Sequence, residues 1–272
     1  MGRESMKQLI KDWVDPFRPR LSPAFFIIGA QKAGTSALFQ MLARHPGVLV
    51  PQEKELHFFD NDRNYAKGIA TYRKAFPIAP LRGRKLTFEA TPDYLFIEEA
   101  ATRMHTHFPD ARLVALLRDP VKRAYSAWNM FRDFGKSARW AHLHDPRPFA
   151  EAVADELAGK AVPMEHRYLS RGRYAGQVAR FFSLYGRERL LIIPYKEWRS
   201  DPAAVLARTL AHVGLDAHSF SAETLRIRDN TRPYPEPLDA TLAEQLYEHF
   251  APHLAELEQV LGAPIDLDER MP

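Results

Sequence analysis

The run Phe25-Phe26-Ile27-Ile28-Gly29-Ala30-Gln31-Lys32-Ala33-Gly34-Thr35-Ser36 constrains this 272-residue chain more than any other feature. An apolar strand enters a glycine-bounded turn that carries Lys and Thr/Ser, and leaves it in a helical pattern. The backbone N–H groups of such a turn, with the positive end of a helix dipole behind them, bind an anion, and Lys32 adds a mobile charge. The spacing is not that of a Walker A loop, which has four residues between its glycines and Lys directly after the second. Here Lys32 precedes Gly34, with Ala33 between them. A phosphate-bearing ligand is expected in this turn, and ATP is not the default.

Strand-like runs recur at 25–28, 85–88, 113–117 and 190–193, with helical stretches between them. Short buried strands alternating with helices imply an α/β fold of three layers, a P-loop-type architecture with a central parallel sheet flanked by helices. The first helix starts at Thr35, with Ala37, Leu38, Met41 and Leu42 on one face, and stops near His45-Pro46-Gly47. Two later helices open with Asp-Pro, at Asp119-Pro120 and Asp201-Pro202, which joins an N-cap oxygen to a proline preset for the first helical position. Apolar residues at Leu242, Leu246, Phe250, Leu254 and Leu257 predict a closing helix. The expected organisation is a lead-in over 1–22 and a single domain over 23–272. An insertion at about 135–165 contains the segment 139–148 and the following helix Phe149–Leu157, with little core of its own.

Composition narrows the partners. A hydrophobic content of 46% supports a sizeable core, and the formal charge of +4, from 38 basic against 34 acidic residues, does not require nucleic acid. The absence of cysteine removes disulfides, thiolate metal sites and cysteine nucleophiles. Residues 1–20 are of mixed charge without a signal-type apolar core, and no run approaches the roughly 20 apolar residues of a membrane span, so a soluble cytoplasmic protein is expected.

Five segments carry a family resemblance: Gly29-Ala-Gln-Lys-Ala-Gly-Thr-Ser36, Lys54-Glu-Leu-His-Phe-Phe59, Phe88-Glu-Ala-Thr-Pro-Asp-Tyr94, Leu117-Arg-Asp-Pro-Val-Lys-Arg-Ala-Tyr-Ser126 and Arg171-Gly-Arg-Tyr174. In that order they resemble the motifs of sulfotransferases that use 3′-phosphoadenosine-5′-phosphosulfate, above all the heparan sulfate N- and O-sulfotransferases and their bacterial relatives. The resemblance runs from about residue 25 to 261. It implies in-line transfer of a sulfuryl group to a hydroxyl, or less readily an amine, of a glycan, glycolipid or small molecule, with the phosphosulfate nucleotide as donor and no metal. The turn alone leaves a kinase and a nucleotidase open as well. Two rivals stay open beside the resemblance: a P-loop kinase with a degenerate loop, and a nucleotide-binding scaffold without turnover.

The resemblance also implies roles. Gln31, Lys32, Ala33, Gly34, Thr35 and Ser36 would surround the 5′-phosphosulfate, and Lys32 would stabilise the bridging oxygen as its bond to sulfur breaks, where negative charge grows. Glu55 would take the proton of the attacking group, since a neutral acceptor must lose one; an exposed Lys54-Glu55 pair is otherwise a solvated face. His57 is the alternative base or a positioning group. Arg118 and Ser126 would hold the 3′-phosphate, which rewards a planar guanidinium; the bland alternative for Arg118 is an ion pair with Asp119 or Glu89. Tyr174 would close on the nucleotide, and Arg232, in Asn230-Thr-Arg-Pro-Tyr-Pro-Glu236, would reach a phosphate. Lys122 and Arg123 are expected as solvated helix charges. One departure concerns the acceptor: glycan sulfotransferases often carry Glu-Lys-Ser or Glu-Lys-Thr where this chain has Glu89-Ala90-Thr91. Glu89 and Asp93 then either bind acceptor groups or brace a loop. No Asp is recognised at a strand end to hold Mg²⁺, because Arg118 occupies that place before Asp119.

Overall fold

A computed structural model describes residues 18–228, 232–234 and 236–270. In chain order the main elements are β1 (Pro23–Gly29), α1 (Thr35–Leu42), β2 (Thr87–Ala90), α2 (Glu98–His107), β3 (Arg112–Leu117), α3 (Pro120–Asp133), α4 (Phe149–Leu157), α5 (Tyr174–Tyr185), β4 (Leu190–Pro194), α6 (Tyr195–Ser200), α7 (Pro202–Val213) and α8 (Ala240–Leu261). Residues 1–17 of the expected 1–22 lead-in, and Asn230, Thr231 and Pro235, lie outside the described residues.

The four strands form one parallel sheet in the order β2-β1-β3-β4. The chain leaves β1 toward one side, builds β2, then crosses to the other side of β1 for β3. That reversal is a topological switch point, where α/β sheets bind ligands beyond the carboxyl ends of their strands. The continuous apolar runs become fully buried strands: Phe25 to Ile28 and Leu113 to Leu117 are wholly inaccessible. The second strand lies two residues later than the sequence implies, at Thr87–Ala90, because Leu86 is spent in an isolated bridge to Val48.

Both Asp-Pro helix starts form as expected. Asp119 accepts hydrogen bonds from the amides of Val121 and Lys122, and Asp201 from that of Ala204, with proline in each first turn. Helix α1 buries Thr35, Ala37, Leu38, Met41 and Leu42. A second hydrophobic cluster joins α3 (Val121, Trp128, Phe131) to α4 (Phe149, Val153) and to Leu246 and Phe250 of α8. One residue of α3 departs from the sequence expectation. Arg123 is not solvated but wholly buried on α3, donating a hydrogen bond to the Tyr168 carbonyl. Burial lowers its pKa to about 10, against the favourable charge of Tyr174. Among the described residues no helix is long and apolar enough to cross a membrane.

Candidate functional site

The loops that follow the four strands meet at one edge of the sheet and enclose a cleft of about 680 Å³. Each strand contributes to it: the Gln31–Ser36 turn follows β1, Asp93 follows β2, Arg118 follows β3 and Tyr195 follows β4.

The β1–α1 turn is built for an anion. Gly34 is the N-cap of α1 in the left-handed conformation (φ 91°), and no side chain caps the helix. The first-turn N–H groups lack partners within the helix by geometry, and their dipole favours negative charge. Any Cβ at Gly34 would lie 2.9 Å from Trp198 Nε1, so both backbone and packing require glycine there. Lys32 is also left-handed (φ 68°), which costs a non-glycine residue on the order of 1 kcal/mol or more. Its carbonyl accepts a hydrogen bond from Arg118 Nη1 at 3.1 Å, which ties the turn to the end of β3. Gln31, Lys32, Gly34, Thr35 and Ser36 line the cleft; Ala33 is buried and its amide closes the turn onto the Ala30 carbonyl.

Glu55 and His57 stand across the cleft on a second strained segment, both left-handed (φ 63° and 46°). The segment is held by several bonds: Glu55 N–H to the Ala90 carbonyl, Phe58 N–H to the Tyr94 hydroxyl at 3.2 Å, and Asn64 Nδ2 to the His57 carbonyl at 2.8 Å. Lys54 contacts Glu55 Oε1, while Oε2 lies 4.0 Å from His57 Nε2. His57 Nδ1 is bonded to Asp60 at 2.7 Å. Burial opposes the charged imidazole, but the hydrogen bond and charge of Asp60, with Asp93 and Glu55, outweigh it and raise the pKa to about 9. These contacts favour the protonated ring at neutral pH.

The two acidic residues left open by the sequence separate cleanly. Glu89 is wholly buried and accepts hydrogen bonds from the hydroxyls of Tyr72, Thr91 and Tyr94. Burial raises its pKa, against the three hydroxyl donors, and it braces the loop. Asp93 lines the cleft and pairs with Arg171 at 2.6 Å. Burial opposes its ionisation, yet the charges of Arg171 and His57 keep its carboxyl below the usual range. One ligand atom each from His57, Asp60 and Asp93 lies within 4.8 Å of the others, a spacing a cation could use, but His57 and Asp93 are engaged by Asp60 and Arg171.

Ser126, Arg118 and Arg232 also line the cleft, Arg232 over the Phe134 ring at 5.6 Å. Arg118 does not pair with Asp119 or Glu89. It donates from Nε and Nη2 to Glu269 at 3.0 and 3.3 Å and stacks over the Tyr195 ring at 4.7 Å. Arg232 bonds to Asp133 at 3.3 Å, and its Nη1 is buried without a hydrogen-bond partner among the described residues. Tyr174 lies apart from the cleft, buried, donating its hydroxyl to the Arg118 carbonyl at 2.9 Å. It steadies the arginine's backbone and offers no surface to a nucleotide. Sequence reasoning missed Asp60, Arg171, Arg199 and Glu269. Asp60 directly follows Phe58-Phe59 and Arg171 opens the segment Arg171-Gly-Arg-Tyr174, so both lie beside recognisable motifs; nothing local marks Glu269.

Comparison with known proteins agrees with this geometry. The family described as Sulfotransferase domain matches residues 22–232. The mouse bifunctional heparan sulfate N-deacetylase/N-sulfotransferase 4 is 29% identical over 276 residues, covering 89% of this chain and 30% of that protein. The mouse heparan sulfate glucosamine 3-O-sulfotransferase 5 is 43% identical over 104 residues, 38% of this chain and 29% of that protein. The chain thus spans about a third of the length of these curated relatives. A solved sulfotransferase from Alicyclobacillus acidocaldarius superposes with a TM-score of 0.70 at 30% identity, covering 90% of this chain and 97% of its own. With the model match extending over most of its length, the chain belongs to the sulfotransferase-domain family.

Proposed function

We propose that the chain transfers a sulfuryl group from 3′-phosphoadenosine-5′-phosphosulfate to a hydroxyl, or less readily an amine, of an acceptor bound beside Glu55. One observation carries this reading: the uncapped, glycine-started helix with Lys32 opens onto the same cleft that Glu55 and Arg118 line. The donor's anionic groups fit the cations present. The α1 amides and Lys32 would hold the 5′-phosphosulfate, and Arg118, Ser126 and Arg232 the 3′-phosphate.

In the transfer the acceptor oxygen forms a bond to sulfur while the bond from sulfur to the bridging phosphate oxygen breaks. The acceptor proton goes to Glu55, and the electron pair of the broken bond stays on the phosphate, where Lys32 supplies positive charge. His57, an imidazolium locked by Asp60, serves as a positioning donor and not as the base. The test is calorimetry with 3′-phosphoadenosine 5′-phosphate, AMP and ATP. The bisphosphate is expected to bind at least about tenfold tighter than AMP, one charge-assisted phosphate contact being of that size. Equal affinity for the bisphosphate and AMP would remove the assignment of Arg118, and a preference for ATP would return the kinase alternative.

A further inference from the structure

Resting on that function, we infer that Glu269 holds the edge of Arg118 that the donor's 3′-phosphate needs, leaves it when the nucleotide binds, and returns to it as the product nucleotide dissociates. Both edges of the Arg118 guanidinium are engaged. Nε and Nη2 donate to the two oxygens of Glu269 at 3.0 and 3.3 Å, and Nη1 donates to the Lys32 carbonyl at 3.1 Å. The group is also held in place, with its plane over the Tyr195 ring at 4.7 Å and its main-chain carbonyl bonded to the Tyr174 hydroxyl at 2.9 Å. A phosphate that meets it in two-point geometry must therefore replace one of these partners. The Lys32 carbonyl is neutral and belongs to the turn proposed to hold the 5′-phosphosulfate. Glu269 is the anionic partner, and so the one that a phosphate repels.

The segment that carries Glu269 is built to let go locally. After α8 the chain is anchored by the Ile265 amide on Glu258 at 3.1 Å, by Asp266 on Lys196 at 2.7 Å, and by Leu267, which is buried in the main core. Beyond Leu267 the contacts are of a different kind. The Glu269 amide donates to Asp119 Oδ2 at 3.2 Å, and Arg270 pairs with its neighbour Asp268 and lies over the Tyr247 ring at 4.7 Å. No apolar side chain among residues 268–270 is buried, and exposed ion pairs contribute little. Residues 268–270 can thus lift away while Leu267 stays seated, the kind of local opening that few buried contacts permit. Glu269 docks by its carboxylate on Arg118 and by its amide on Asp119, so losing the first contact frees the second. The same pair acts in reverse after transfer: a returning carboxylate gives Arg118 a partner as the phosphate leaves.

Hydrogen exchange of the wild type, read by mass spectrometry with no ligand, with 3′-phosphoadenosine 5′-phosphate and with AMP, tests the displacement. The bisphosphate is expected to slow exchange in the turn 31–36 and to speed it in residues 268–270, whereas AMP slows the turn and leaves 268–270 as they were. A ligand that merely rigidified the fold would slow both. Release of radiolabelled bisphosphate into excess unlabelled nucleotide is expected to be about fivefold or more slower from Glu269→Gln than from the wild type, since changes within one site fall mainly on the dissociation rate. Exchange at 268–270 that is slowed or unmoved by the bisphosphate, or equal release from the two proteins, would overturn the inference. Affinities measured on the same preparation keep the two readings apart. A wild type that prefers the bisphosphate to AMP but keeps 268–270 in place refutes only the role of Glu269, whereas no such preference refutes the donor assignment and this inference with it.

Discussion

Replacing Glu269 should make the protein slightly less stable and a better binder of the donor product. The two oxygens of Glu269 take two hydrogen bonds from Arg118, at 3.0 and 3.3 Å, with side chains only 14% and 21% exposed. A freely exposed pair would contribute up to ~1 kcal/mol; two-point geometry and partial burial place this one at about 1–2 kcal/mol. A 3′-phosphate placed on Arg118 must share or displace that carboxylate, so the pair opposes binding by about the same amount. Glu269→Gln should therefore tighten 3′-phosphoadenosine 5′-phosphate by about five- to thirtyfold. AMP, which lacks the 3′-phosphate, should bind as before. The unliganded melting temperature should fall by roughly 2–4 °C per kcal/mol lost. Calorimetry and thermal melts on the two proteins read both signs. Unchanged or weaker bisphosphate binding in Glu269→Gln, or equal gains for AMP, would refute the placement of the 3′-phosphate on Arg118.

Lys32→Ala should lower turnover by orders of magnitude while weakening the product nucleotide only modestly, because its charge acts where the leaving phosphate develops; steady-state kinetics showing a raised donor KM at intact kcat would make Lys32 a binding contact alone. His57 should titrate near pH 9 by NMR of its ring. Because its folded pKa is raised, the stability it contributes is complete below about 6.5 and lost as pH climbs through about 9, so the melting gap between wild type and His57→Gln should close over that window. A ring that titrates near 6.5, or a constant gap, would contradict the imidazolium. Glu89→Leu leaves the hydroxyls of Tyr72, Thr91 and Tyr94 buried without their acceptor, at about 1–3 kcal/mol each before relaxation, so a loss of about 3–5 kcal/mol is expected in denaturant unfolding. Glu89→Gln should lose distinctly less, and a neutral Glu89→Leu would show that the three hydroxyls have other partners.

The parts legible in the sequence were those written locally. The strand-turn-helix run gave β1, its turn and α1 because apolar continuity, glycine and the 3.6-residue period all occupy one stretch of chain. Asp-Pro pairs fixed two helix starts for the same reason. What escaped depends on distant packing. Arg123 follows a polar-looking pattern on α3, yet its guanidinium lies against the Tyr168 carbonyl and the charges of Tyr174 and Arg171, so a residue expected in water lies in the core. Arg118 meets Glu269, about 150 positions away, where no spacing rule reaches. The division of labour between Glu89 and Asp93 was likewise invisible, since Glu89 lies in β2 facing three hydroxyls while Asp93 falls in the turn after it and faces the cleft. The bond from the His57 ring to Asp60 at 2.7 Å, which bears on the proposed roles of Glu55 and His57, is one that three residues of sequence separation permit but do not dictate.

The proposed mechanism turns on Glu55 taking the proton of an acceptor attacking sulfur. The direct measurement is the rate of radiolabelled sulfuryl transfer to a hydroxyl acceptor that the wild type turns over, by Glu55→Gln beside the wild type, with affinity for 3′-phosphoadenosine 5′-phosphate determined on both. Glutamine keeps the shape and hydrogen bonding of the side chain but cannot accept the proton. Transfer is predicted to fall by roughly two to four powers of ten while nucleotide affinity stays within about twofold. Near wild-type transfer by Glu55→Gln would contradict the claim.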